Sequence, residues 1–82
     1  MPTYLIKSPH TAEDCSKIAK LTLAAGYLTH FHWGCKAGDH TAWAIIEADS
    51  AGEALLSVPT VVREKCQAIE VVQFDPHDVA EW

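Results

Sequence analysis

Four residues that commonly bind metal ions lie close together within residues 30–40. They are His30, His32, Cys35 and His40. Histidine nitrogen and cysteine sulfur are usual protein ligands of zinc, and they also bind copper and nickel. These four side chains are therefore candidate ligands of Zn, Cu or Ni. A pocket without a metal, or no site role, are the alternative interpretations of the two strand histidines.

The spacing of the first two candidates suits a β-strand. Because side chains alternate along a strand, His30 and His32 would project from the same face, about 6 to 7 Å apart along the backbone. A third ligand must then come from elsewhere. Cys35 has the opposite parity and would point to the other face, unless a bulge at Gly34 redirects it.

The third ligand depends on how residues 27–35 pair with residues 40–49. If paired residue numbers sum to 75, Trp43 and Glu47 share the face of the two histidines. If they sum to 74, His40 lies there instead. A shift of one residue reverses the whole assignment, and the residues of the turn do not decide between the two registers.

The same histidines are also the candidate catalytic residues. No nucleophile elbow, P-loop, Rossmann fingerprint or zincin motif occurs in the chain. Histidine can transfer protons near neutral pH, and His30 and His32 are favoured because they cluster. The aromatic residues Tyr4, Phe31 and Trp43 are candidates for contact with an organic cofactor or ligand, or else for core and interface packing.

Three functions stay open. The first is a binding module that holds a small organic molecule or a metal ion in a His-lined pocket. The second is a small enzyme of the isomerase, cyclase or cofactor-free oxygenase type, with histidine as general acid or base. The third is a protein-interaction or regulatory module without a ligand.

The elements that must position these residues begin with a strand. Residues 3–8 are rich in β-branched and aromatic side chains, and Pro9 closes them. Apolar residues then recur every three or four positions over residues 12–25, which predicts a helix that ends at Gly26. Residues 27–35 and 40–49 alternate with period two around a polar turn containing Gly38, which predicts a hairpin.

The second half of the chain repeats the helix and strand. Ser50 and Glu53 have capping-box spacing, so a helix begins there, and Pro59 must kink or restart it before residue 65. Residues 66–74 form the last predicted strand, and Asp75 with Pro76 begins a short final helix.

The order β, α, β, β, α, β predicts one α+β domain over residues 1–82, of the ferredoxin-like kind. Right-handed crossovers place both helices on one face of a four-stranded antiparallel sheet. Since 49% of the 82 residues are hydrophobic, the other face should pair with a second copy, which predicts a homodimer.

Composition narrows the partners and the compartment. A net charge of −5 argues against binding to nucleic acid, and no apolar stretch approaches the length of a membrane span. Three widely spaced cysteines match neither a disulfide framework nor a CxxC motif, and the start of the chain lacks a signal-peptide pattern. We therefore expect a cytoplasmic protein with reduced thiols.

The chain also resembles a known group of proteins. The order of elements, the length and the segment GCKAGDHT at residues 34–41 are similar to small domains related to the dimeric α+β-barrel superfamily. The resemblance implies that two sheets pair face to face. Members of the superfamily include monooxygenases, lactone isomerases, haem-handling enzymes and simple ligand binders, so the resemblance assigns neither a reaction nor a catalytic residue.

Overall fold

A four-stranded antiparallel sheet organises the chain in a computed structural model that describes residues 1–82. The strands are β1 (Thr3–Pro9), β2 (Phe31–Trp33), β3 (Thr41–Glu47) and β4 (Gln67–Val71), and their order across the sheet is β2-β3-β1-β4. The predicted α+β class and the four antiparallel strands are confirmed. The central pair, β1 and β3, carries most of the β-branched and apolar residues.

The helices are shorter than the sequence predicts. They are α1 (Cys15–Ala24), α2 (Ala51–Ala54), α3 (Thr60–Arg63) and α4 (Pro76–Ala80). Ser50 Oγ accepts a hydrogen bond from the Glu53 amide at 3.2 Å, as the predicted capping box requires. Pro59 directly precedes α3, so the helix predicted to extend to residue 65 is divided into α2, a 3-10 turn (Leu55–Ser57) and α3.

The strand predicted over residues 27–35 is mostly replaced by turns. Only Phe31–Trp33 pairs with β3, while Leu28–His30 and Cys35–Ala37 form 3-10 turns. Gly26 has a left-handed φ of 85° and ends α1, and the Tyr27 amide still donates to the Thr22 carbonyl. The chain therefore needs the turn that follows to bring Phe31 into line with the sheet.

The hairpin register is the first of the two alternatives. Phe31 pairs with Ala44 and His32 with Trp43, so the paired numbers sum to 75. Between β1 and β3 the sum is 50, as Ile6 pairs with Ala44. These two registers determine which side chains share each face of the sheet.

The core lies on one face of the sheet. It combines small and large apolar side chains: Tyr4, Ile6, Phe31, Ala42, Ala44, Ala48, Ala54 and Val58. Ala54 of α2 is fully buried in this core. None of the helices has the length and continuous apolar character that crossing a bilayer requires.

The opposite face of the sheet carries apolar residues that remain partly or largely exposed. We call it the open face and define it by Leu5, Trp43, Ile45, Ile69 and Val71. Ile45 is 58% exposed and Ile69 is 48% exposed. No helix covers these side chains in the single chain.

Candidate metal centre

Two histidines and two cysteines converge at one end of the sheet. One ligand atom from each of His10, Cys15, Cys35 and His40 lies within 4.8 Å of all the others. All four side chains are half-buried. This cluster could hold a metal ion.

Strand pairing brings the two histidines together. The last pair between β1 and β3 is Pro9 with Thr41, so the same register continued by one residue sets His10 opposite His40. The His10 amide donates to the His40 carbonyl at 2.9 Å, which ties the two strand ends together. Their rings lie edge to face with centroids 6.1 Å apart.

The hairpin turn brings Cys35 to the same place. The β2–β3 register, continued in the same way, sets position 35 opposite position 40. Gly34 makes this turn possible, since a Cβ atom there would lie 2.5 Å from the Asp39 carbonyl oxygen. Gly38 supplies the left-handed φ of 92° that the turn needs before Asp39.

Helix α1 supplies the fourth ligand from its first residue. A turn precedes the helix, because both the carbonyl and the hydroxyl of Thr11 accept from the Asp14 amide. The buried side chain of Ile18 fixes the first turn of α1 in the core. Cys15 is therefore held beside the three ligands that come from the strand ends.

The distances in the cluster suit a small tetrahedral ion. His10 Nε2 lies 3.1 Å from Cys35 Sγ. In a tetrahedral zinc site, bonds of about 2.0 and 2.3 Å separate neighbouring ligand atoms by roughly 3.3 to 3.8 Å. Small side-chain movements would bring the four ligand atoms from their present spacing to that geometry.

Two buried imidazole nitrogens in the cluster have no partner. They are Nδ1 of His10 and Nδ1 of His40. A buried nitrogen without a hydrogen bond is costly, so such atoms call for an explanation. An ion in the cluster would take the nitrogen of His10 that faces Cys35, which is Nε2, so it would leave Nδ1 of His10 without a partner. The unpartnered Nδ1 of His40 is one nitrogen that an ion could use.

The Cys35 thiol is protonated near neutral pH when no metal is bound. Partial burial, followed by the hydrogen bond and charge of the neighbouring Cys15, raises the pKa of the Cys35 thiol to about 11. A thiol in this state is a poor nucleophile. It becomes a thiolate only when a cation replaces its proton, which favours metal binding over thiol catalysis.

The residues predicted to bind metal are divided between two places. Cys35 and His40 belong to the cluster, whereas His30 and His32 lie outside it. The cause is the alternation of side chains along β2. His32 pairs with Trp43 and so lies on the open face, whereas positions 33 and 35 belong to the other face. His10 and Cys15 were missed, although His10–Cys15 and Cys35–His40 have the same spacing in the sequence.

His30 and His32 line a shallow hollow on the open face. Its volume is about 320 Å³, and its other lining residues are Leu5, Trp43, Ala44 and Ile45. Of the aromatic candidates for ligand contact, Trp43 therefore lies beside the histidines. Tyr4 and Phe31 are buried in the core on the other face.

No family model, curated protein or solved structure matches the chain.

Proposed function

We propose that the protein is a zinc-binding domain in which His10, Cys15, Cys35 and His40 coordinate one Zn²⁺ ion. The observation that carries the proposal is the convergence of four nitrogen and sulfur ligand atoms within 4.8 Å. They come from the loop after β1, the start of α1 and the two ends of the hairpin turn. The pair His10 and Cys15 lies far in the sequence from the pair Cys35 and His40, so the fold brings the two pairs together.

The ligand chemistry favours zinc over the other predicted metals. Two thiolates and two imidazoles are a common tetrahedral zinc set, whereas Ni²⁺ and Cu²⁺ prefer square-planar or tetragonal sites. Four protein ligands also leave no position for a substrate or a reactive water. The proposed role of the ion is therefore structural: it ties the connection between β1 and α1 to the hairpin turn.

Metal titration tests this proposal. The purified, metal-free protein should bind one Zn²⁺ per chain, and Co²⁺ should give the intense visible bands of a tetrahedral site together with sulfur-to-metal charge transfer. Cys15→Ala should leave one sulfur ligand and lower the charge-transfer intensity to roughly half, and the matched control Cys66→Ala should keep the full intensity. Charge transfer of unchanged intensity in Cys15→Ala, or no binding by the wild-type protein, would contradict the proposal.

The fold and the assembly form a second part of the proposal. The strand order β2-β3-β1-β4 and the antiparallel pairing support a ferredoxin-like arrangement. The exposed open face supports a homodimer in which this face is covered, as the resemblance to the dimeric α+β barrels implies. Sedimentation of the full chain tests the homodimer.

Small-ligand binding on the open face is a second candidate function. The hollow lined by His30, His32 and Trp43 favours it, because two titratable groups there border an apolar surface. The alternative of an enzyme with histidine as proton shuttle depends on the same hollow. Replacing both histidines by alanine should abolish binding or turnover of such a ligand and leave zinc binding unchanged.

A further inference from the structure

The C-terminal segment, residues 72–82, exposes a set of apolar side chains. Every residue of the segment is exposed. Val72, Phe74 and Trp82 are 69%, 60% and 81% exposed. Apolar side chains gain stability when they leave water, so this segment forgoes that stabilisation in the single chain.

The segment nevertheless has a defined local structure. Asp75 Oδ1 accepts from the His77 amide at 2.7 Å and caps α4, and Pro76 occupies its first turn. The rings of Phe74 and Trp82 meet edge to face at 4.9 Å. A helix of one or two turns is not stable in water without packing, so these features indicate a segment that is shaped for a surface.

The segment does not fold back on its own chain. The chain has extents of 48 × 28 × 21 Å and a radius of gyration of 14.4 Å. A compact domain of this length has a radius of gyration of about 12 Å. At the base of the segment, Val72 borders a hollow of about 560 Å³ together with Thr3, Ile45 and Val71.

One chain thus carries two incomplete surfaces that match in character. The open face is mainly apolar, with Lys7 at the far end of β1 from the segment's base and Glu47 beside Ile45 near that base. The segment is apolar on its Phe74–Trp82 side and also carries the acidic residues Asp78 and Glu81. In a dimer with a two-fold axis, the segment of each copy would cover the open face of the other copy. Both apolar surfaces would then be buried in both copies.

We propose that two copies exchange their C-terminal segments, so that Phe74 and Trp82 of each copy pack on Ile45 and Ile69 of the other. This inference rests on the homodimer proposed above. A stable interface removes about 800 Å² from each partner. The accessible surface of the chain is 5674 Å². An interface of that size would therefore bury only a minor part of the surface of each copy.

Photo-cross-linking in an isotopic mixture tests the exchange. A photoreactive phenylalanine analogue replaces Trp82 in the full-length chain, and ¹⁴N and ¹⁵N copies are mixed, zinc-loaded and irradiated. The expected result is cross-linked peptides of mixed isotope that contain residues 41–47 or 67–71. A dimer whose cross-links stay within one chain, or miss the open face, would overturn the exchange while leaving the homodimer standing.

Sedimentation supplies the second arm. Ile45→Asp, on the open face, should weaken self-association at least tenfold, and the double variant Phe74→Ser/Trp82→Ser should do the same. Leu23→Asp is the matched control, because Leu23 is a similarly exposed apolar residue on α1. All variants should still bind one zinc ion, which checks their folding. A wild-type chain that is monomeric at every concentration overturns both the exchange and the homodimer.

Discussion

His10 Nε2 lies 3.1 Å from Cys35 Sγ, although 25 positions separate the two residues in the chain. The contact joins the end of β1 to the hairpin turn between β2 and β3. With Cys15 and His40 it forms a cluster of nitrogen and sulfur atoms that suits one zinc ion.

Zinc should stabilise the fold strongly. A ligand present at 1,000 times its dissociation constant stabilises the native state by about 4 kcal/mol. In a domain of this size each kcal/mol raises the Tm by roughly 4 to 8 °C. Differential scanning calorimetry should therefore show a rise of more than 10 °C with zinc. His40→Ala should remove most of this rise, and the control His32→Ala should retain it.

Gly34→Ala should damage the hairpin turn and the zinc site together. The new Cβ would lie 2.5 Å from the Asp39 carbonyl oxygen and 3.1 Å from the Trp43 ring. Overpacking of this kind costs roughly 1 to 3 kcal/mol. We expect a lower denaturation midpoint and at least tenfold weaker zinc binding. Gly52→Ala is the control, since its Cβ would approach no atom closer than 3.8 Å. Equal effects of the two substitutions would refute the role assigned to Gly34.

The stability of the metal-free protein should fall in alkaline solution. The pKa of the Cys35 thiol is about 11 in the folded protein, against 9.0 as the ordinary value, because the folded state disfavours the thiolate. Between these pH values the unfolded chain loses this proton before the folded chain does, so the free energy of unfolding decreases. Below pH 9 the contribution is fully present. Urea denaturation from pH 8 to 11 should show a steeper loss for the wild type than for Cys35→Ser.

The zinc affinity of the protein should change with pH in the opposite direction to the stability of the metal-free protein. Cysteine binds zinc as the thiolate, so binding releases the protons of the cysteine ligands, and zinc affinity rises with pH. Calorimetric titrations near pH 7 in buffers of different ionisation enthalpy measure the number of protons released. We expect up to two per zinc ion, and at least one fewer in Cys35→Ser. Zinc binding without proton release would exclude the thiols as ligands.

The sequence predicted the elements of this fold better than its long-range contacts. Alternation around Gly38 and the cap at Ser50 are local signals, and both features occur in the structure. The length of the second strand was overestimated, because residues 27–30 form a turn that connects α1 to the sheet.

The candidate site was predicted in part for the same reason. Cys35 and His40 lie in one hairpin turn, so their proximity follows from a local pattern. His10 joins them only through the pairing of β1 with β3, and Cys15 only through the packing of α1. Neither relationship can be read from the spacing of residues 30–40. His10 lies opposite His40 because paired residue numbers in β1 and β3 sum to 50, and this register was not predicted.

X-ray absorption spectroscopy at the zinc edge of the reconstituted protein tests the central claim most directly. A site of His10, Cys15, Cys35 and His40 predicts two sulfur atoms at about 2.3 Å and two nitrogen atoms at about 2.0 to 2.1 Å from the metal. In Cys15→Ala the sulfur count should fall to one. A first shell of nitrogen and oxygen alone, or an unchanged shell in Cys15→Ala, would contradict the account.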